Sequence, residues 1–306
     1  MALVAAAAGD MRLVRRTLSS GCDLNAVNSQ GDSALMVAAK KNHVEVMTLL
    51  LVSGVDVDLR RSDGTTALHL AIATPQSVRT ASQDGSNVLT IAAQAGQVEA
   101  VRMFLDAGVP VDLSSGAGRT PLMFAATKNQ VEVMRLLLSN GALPNKTSKD
   151  GNTVLTIAAE GGHVEAVRFL LSHGARMDRS ECPEMTAVAA AAQNGHVEVI
   201  KLLLQNHADI NAHDDDWDSA LHEAVYGGQL EAARALVDAN PSANVNKRNR
   251  SGWTPLMAAT HRNFVDIIEL LIRKGAALNM KTNDGRTALH VAAEEGHTAA
   301  IRVAVP

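Results

Sequence analysis

The stretch Val164-Glu165-Ala166-Val167-Arg168-Phe169-Leu170-Leu171 places apolar residues at i, i+3 and i+6/i+7. That is the stripe of an amphipathic helix with one buried side. A shorter run, Val154-Leu155-Thr156-Ile157-Ala158-Ala159, precedes it, and its Ala pair lets a helix lie close to its neighbours. Gly162-His163 separates the two, ending the first helix and admitting a left-handed residue. A segment rich in Gly, Asn and Asp follows the second helix and reads as a turn or β-hairpin. This succession returns along the whole chain. Its opening turn position falls at Gly31, Gly64, Gly85, Gly118, Gly151, Glu184, Trp217, Gly252 and Gly285, with spacings of 33, 21, 33, 33, 33, 33, 35 and 33 residues. Helix–turn–helix units joined by short hairpins, about ten of them, are therefore expected on the repeat logic of quasi-one-dimensional folds.

Each opening leads into the same short motif, as in Thr66-Ala67-Leu68-His69, Thr120-Pro121-Leu122-Met123, Ser219-Ala220-Leu221-His222, Thr254-Pro255-Leu256-Met257 and Thr287-Ala288-Leu289-His290. The Thr or Ser suits an N-cap, and Pro121 and Pro255 fall at the first helical position, where no amide is needed. Full units close on a Leu pair and a Gly-Ala segment, as in Leu170-Leu171-Ser172-His173-Gly174-Ala175. In these residues the chain closely resembles the ankyrin repeat, a 33-residue hairpin–helix–turn–helix carrying Thr-Pro-Leu-His. The resemblance covers essentially the whole sequence and implies an all-α ankyrin-repeat solenoid, one array over residues 1–306. One such unit cannot bury its apolar face alone, so neighbours must stack.

Three departures break the register. Residues 1–27 form a partial first repeat that starts directly at its first helix, Met1–Ala8. Between Gly64 and Gly85 about twelve residues are missing, leaving a truncated repeat over about 61–81 with a stunted second helix near Gln76–Ser82 and a local defect beside Pro75. The last repeat, 282–306, is incomplete; its final helix, His297 to Val305, carries only Arg302 as a charge and reads as cut rather than capped, as in part of a longer protein.

Composition narrows the function classes. The net charge of −4 shows no basic excess, so no nucleic-acid partner is expected; Lys247-Arg248-Asn249-Arg250 sits on one hairpin beside the acidic Asp214–Asp218 tip and reads as a solvated loop. No apolar run reaches 18 residues and no basic segment precedes the apolar N-terminus, so neither a membrane span nor secretion is expected. Cys22 and Cys182 fall in repeats that do not touch, which points to a reducing compartment: the cytoplasm, with the nucleus also open to the chain. The sequence has no phosphate-binding Gly-Lys-Ser/Thr loop, no Gly-x-Ser-x-Gly elbow and no His-Glu-x-x-His pair, so no enzymatic activity, cofactor or small-molecule substrate is expected. The eleven histidines do not suggest a metal, because repetition accounts for most of them. His43, His163, His196 and His297 share a turn slot, and His69, His222 and His290 fall where ankyrin histidines bond backbone between units.

The resemblance implies a protein partner, bound by a monomer along a concave groove made of hairpin tips and the exposed ends of first helices. By position, the groove residues in the one aromatic-rich region are Asp215, Asp216, Trp217, Asp218, Tyr226, Arg250, Trp253, His261 and Arg262. Trp, Tyr and Arg most often anchor interfaces. Against that stands a plainer role, in which the Trp253 ring merely covers a neighbouring hairpin; Trp217, replacing the turn glycine, implies a locally irregular backbone. Ankyrin repeats are also substrates of an asparaginyl hydroxylase that prefers a hairpin Asn with Leu eight residues earlier, a spacing met by Asn145, Asn211 and Asn279. The functional expectation is thus an interaction module or scaffold, or else the recognition arm of a larger enzyme or channel whose active domain lies outside this chain.

Overall fold

The structure, a computed structural model, describes residues 1–306 except 42, 57–58, 63–66, 68–86, 107, 178–184, 240–242 and 305–306. Among the described residues there are 18 helices and no strand. They divide between two compact units, Met1–Lys149 and Asp150–Pro306. In the first, α1 (Ala2–Ala8) pairs with α2 (Met11–Ser19), α3 (Ala34–Lys41) with α4 (Val44–Val52), α5 (Val88–Gln94) with α6 (Val98–Asp106), and α7 (Pro121–Thr127) with α8 (Val131–Ser139). In the second, the pairs are α9 (Val154–Glu160) with α10 (Val164–Ser172), α11 (Ala187–Gln193) with α12 (Val197–Gln205), α13 (Ala220–Tyr226) with α14 (Leu230–Ala239), α15 (Pro255–His261) with α16 (Val265–Arg273), and α17 (Ala288–Glu294) with α18 (Thr298–Ala304). Nine helix pairs are therefore described, not the expected ten or so. The short unit at 61–81, its stunted helix and the openings Gly64, Gly85 and Glu184 lie outside the described residues, as does Cys182; Cys22 is an exposed free thiol.

Within the second unit, first helices stack on first helices from α9 to α17, and second helices stack likewise from α10 to α18. Small residues make the inner layer: Ala158, Ala159, Ala191, Ala192 and Ala224 have no exposed surface. Leu170, Leu203 and Leu271, from the Leu pairs, are equally sealed. Truncating one of these leucines to Ala costs about 2–5 kcal/mol in packed cores, so the repeated Leu is what each unit contributes to the common core.

The caps behave as the motif predicts. Thr120, Thr153, Thr186 and Thr254 accept the N–H of Met123, Thr156, Ala189 and Met257 through Oγ1, at 3.1–3.3 Å. Pro121 and Pro255 occupy the first turn. The helix–turn–helix bend needs a left-handed residue, supplied by Gly162 at φ 69° and by Asn263 at φ 56°. At Gly162 an added Cβ would also lie 2.5 Å from the His196 ring. That ring sits so close because His196 Nε2 donates to the Glu160 carbonyl at 2.9 Å, as His43 does to Ala7 and His297 to His261. The turn-slot histidines thus staple each unit to the one before.

The hairpins are tighter than expected. Among the described residues they reduce to isolated bridges, Val27 with Ser33 and His213 with Ser219, each around a turn closed by backbone bonds. No helix among the described residues is long and apolar enough to cross a membrane.

Candidate functional site

The nine residues singled out by position all belong to the second unit, on the turns before α13 and α15 and on the ends of those helices. The turn at 214–218 is built by Asp214. Its Oδ1 accepts the N–H of Asp216 at 3.0 Å and of Asp218 at 2.9 Å, and the Trp217 N–H donates to the Asp214 carbonyl at 3.0 Å. Trp217 holds φ 65°, the conformation that glycine holds at the equivalent Gly31, Gly118, Gly151, Gly252 and Gly285. The expected backbone irregularity is absent: a bulky residue adopts the regular left-handed turn, at a cost of about 1–2 kcal/mol. The ring is 53 % exposed, and its aromatic neighbour is His213, 5.7 Å away between ring centres.

Behind the turn lies a sealed polar network. Asp218 Oδ1 accepts from Tyr226 Oη and from Asn249 Nδ2, both at 3.1 Å, and Asn249 Nδ2 also reaches Tyr226 Oη at 3.4 Å. Asn249 does for the next turn what Asp214 does for its own: its Oδ1 accepts the N–H of Ser251 and of Trp253, at 3.1 and 2.9 Å. One backbone bond ties the two tips directly, Arg250 N–H to the Asp216 carbonyl at 2.7 Å. His222, with no exposed surface, accepts from Ser219 through Nδ1 and donates to the Trp253 carbonyl through Nε2 at 3.2 Å. Burial keeps the ring neutral and pushes its pKa down to about 4. Ser219 Oγ and His222 Nδ1 stand 3.0 Å apart, the distance of a nucleophile–base pair, but the serine is only 2 % exposed. A nucleophile must be reached by its substrate, and this pair instead caps α13.

Glu223 is almost fully buried, and Gln193 Nε2 donates to its Oε2 at 2.8 Å. Carboxylate oxygens of Asp214, Asp218 and Glu223 all lie within 4.8 Å of one another. Burial pushes all three carboxyl pKa values up; repulsion from Asp218 and Asp216 adds to it at Asp214, from Asp216 at Asp218, and from Asp218 and Asp214 at Glu223, which reaches about 7. Burial, reinforced by the Asp218 charge, likewise raises the Tyr226 phenol.

The second aromatic group is looser. Trp253 is half-buried, edge-on to the His261 ring with centres 5.5 Å apart, and the Arg286 guanidinium lies 6.0 Å over its face. His261 Nδ1 is 3.3 Å from Glu295. Arg250, Arg262, Asp215 and Asp216 are exposed.

The profile of ankyrin repeats in their three-copy form matches residues 2–78, 74–148, 143–214, 180–249 and 221–305. The chain belongs to the ankyrin-repeat family. Ankyrin repeats are a protein–protein interaction fold, typically without enzymatic activity. Among solved structures, the chain is similar to the human ASB11 ankyrin repeat domain (TM-score 0.65, 27 % identity, 72 % of this chain and 99 % of that one). It is also similar to the ankyrin repeat domain of Bcl-3, a member of the IκB protein family (TM-score 0.58, 29 % identity, 72 % and 99 %). A curated relative, the BTB/POZ domain and ankyrin repeat-containing protein NPR3 of Oryza sativa subsp. japonica, is 54 % identical over 50 residues. That alignment spans 16 % of this chain and 8 % of the rice protein.

Within the ankyrin frame, the structure brings Asp218 and Tyr226 into one network, joins Asp216 to Arg250 through backbone, and sets Trp253 against His261; Asp215 and Arg262 stand apart from these contacts. Sequence reasoning passed over Glu223, Asn249 and His222 as functional neighbours. One signal was available for Glu223: it is acidic where the other described repeats are apolar. Of the three asparagines with hydroxylase spacing, Asn145 and Asn279 are exposed, while Asn211 is half-buried. Asn211 Oδ1 accepts the Asn244 N–H at 3.0 Å, a clip between consecutive repeats that recurs from Asn25 to Asp56 and from Asn246 to Ala277.

Proposed function

We propose that this ankyrin array binds a protein partner through the turns and first-helix ends around residues 215–262, acting as a monomeric scaffold in the cytoplasm or nucleus. The observation that carries this reading is Trp217. A large aromatic ring stands exposed on a backbone conformation that glycine holds in the equivalent turns, and the same two turns and first-helix ends carry Asp215, Asp216, Arg250, Tyr226, Trp253, His261 and Arg262. An exposed ring held by a rigid turn loses little freedom on binding, so more of its contact energy appears as affinity. Fold alone does not choose the partner.

Photo-crosslinking tests this. Benzoylphenylalanine placed at position 217 or 253 should trap a discrete protein from a lysate of the source organism, and the same label at exposed Arg168 on α10 should not. Equal trapping from all three positions, or from 168 alone, refutes the assignment of the face.

A second reading makes the array the recognition arm of a larger enzyme or channel. The rice relative, whose name joins a BTB/POZ domain to ankyrin repeats, is the observation in its favour; reading the full transcript decides it. We also propose Asn279 and Asn145 as the asparagines that a hydroxylase would reach first, ahead of Asn211. Peptide mapping after exposure to an asparaginyl hydroxylase should find an added oxygen there before it appears at Asn211, whose side chain is clipped to the next repeat.

A further inference from the structure

The fourth residue after the helix cap faces the preceding repeat. It is apolar in the other described units after the first, from Val37 and Ile91 through Ile157 and Ala190 to Ala258 and Val291. In α13 alone that slot holds a carboxylic acid, Glu223, only 5 % exposed. Its donor is the Gln193 amide. Two further carboxyl groups, Asp214 and Asp218, crowd within 4.8 Å.

Among the described residues no charged cation forms an ion pair with this cluster, although the charge of Lys247 reaches it at Asp214. α11, packed against α13 from the preceding repeat, carries no ionisable side chain. On α14, Glu231 and Arg234 pair with each other and Asp238 with Lys274. On α15 the one titratable group is His261, turned to Glu295. In the following turn, Lys247 donates to the Asn211 carbonyl and Arg248 to the Gly252 carbonyl and Asn283, while Arg250 is exposed. From the cluster's own turn come Asp215 and Asp216, which add negative charge, and His213, which lies against Trp217. His222 is held neutral by burial, and Tyr226 is a donor to Asp218. Three like charges this close, with Asp218 and Glu223 out of water and none of the three in an ion pair with a charged cation, cannot all be ionised, so a proton stays in the cluster.

We infer that Glu223 holds a proton shared with Asp214 and Asp218, and that its loss to solvent loosens the two turns that present Trp217 and Trp253. The path is short. The Asp214 carboxylate is the lock of the first turn, through the Asp216 and Asp218 amides, and Asp218 holds Asn249, the lock of the second. Charge on Glu223 repels both carboxylates and pushes against both locks. Partner binding at this face, on the reading proposed above, is then favoured on the acid side of neutrality.

The test needs no partner, so its failure is separate from failure of the binding reading. The full chain is labelled with carboxyl-¹³C glutamate and ¹⁵N-indole tryptophan and titrated by NMR. Glu223 Cδ, assigned by its disappearance in Glu223→Gln, should titrate with a midpoint near 7. The chain has two tryptophans, and both indole resonances should move with that midpoint. They should move in the wild type and in His213→Asn, and stay still in Glu223→Gln. Titration of Glu223 near the ordinary 4.5 overturns the proposal. So do indole resonances that ignore the Glu223 midpoint, or that follow it unchanged in Glu223→Gln.

Discussion

Trp217 and glycine compete for the same turn, and the two side chains would serve different ends. Glycine relieves a left-handed strain of about 1–2 kcal/mol but adds freedom to the unfolded chain worth up to about 1 kcal/mol. Trp217→Gly should therefore fold at least as stably as the wild type, gaining up to about 1 kcal/mol in urea melts, while losing the exposed ring. A melt showing a loss of several kcal/mol would mean that the ring is part of the core after all. The adjacent pair His222 and Glu223 makes a second residue-scale prediction. Glu223 is raised from 4.5 to about 7 by burial and by Asp218 and Asp214, so its contribution is full below pH 4.5 and is lost as pH rises through 7. His222 is lowered from 6.5 to about 4 by burial, so its contribution is full above pH 6.5 and is lost as pH falls through 4. Between 4.5 and 6.5 the folded chain keeps the glutamate proton and lacks the histidine proton, the reverse of the unfolded chain, and the two slopes cancel. Glu223→Gln removes one of them. Relative to wild type, the variant should lose about 1.4 kcal/mol per pH unit on acidification from 6.5 to 4.5, read from urea melts followed by tryptophan emission. A difference that does not change with pH contradicts the assignment. The sequence marked His222 by its motif slot, and its bond to the Trp253 carbonyl is the one that slot implies; Glu223 was marked only by being acidic where the other repeats are apolar, and its burial depends on the preceding repeat closing over it.

At the scale of the element, the sequence was most legible. The cap, the Ala pair, the turn glycine and the Leu pair are local signals, each with a local physical cause, and the helices fall where they point. Thr254→Ala should cost about 1 kcal/mol, the usual loss of an N-cap, and the measurement is again a denaturant midpoint. Gly162→Ala should cost more, because the methyl meets both a left-handed φ and the His196 ring that staples α12 to the Glu160 carbonyl. Pairing it with His196→Ala should recover part of that loss; no recovery would mean the cost is backbone strain alone. The hairpins were less legible. Asn, Asp and Gly announce a turn, but whether its arms extend into strands depends on neighbouring tips. Here the tips are joined by single bonds such as Arg250 to Asp216, so only isolated bridges form.

At the scale of the molecule, register alone named the ankyrin family, because nine openings in phase are far more specific than one motif. The division into two compact units was not legible, since every repeat carries the same stacking code whether or not its neighbour completes the contact. The site was half legible. Positions on the repeat frame picked out Trp217, Asp218, Tyr226 and Trp253, while the buried links among them, through Asn249, His222 and Glu223, depend on contacts about thirty residues apart that no local pattern encodes. The account's central claim is that the second unit presents its partner-binding face around Trp217. The most direct measurement is a calorimetric titration of the crosslinked partner, once purified, against the wild type and Trp217→Gly. The account predicts at least a tenfold loss of affinity, about 1.4 kcal/mol, in a variant that melts no earlier than the wild type. Equal affinity in the two would contradict it and move the interface to another face of the array.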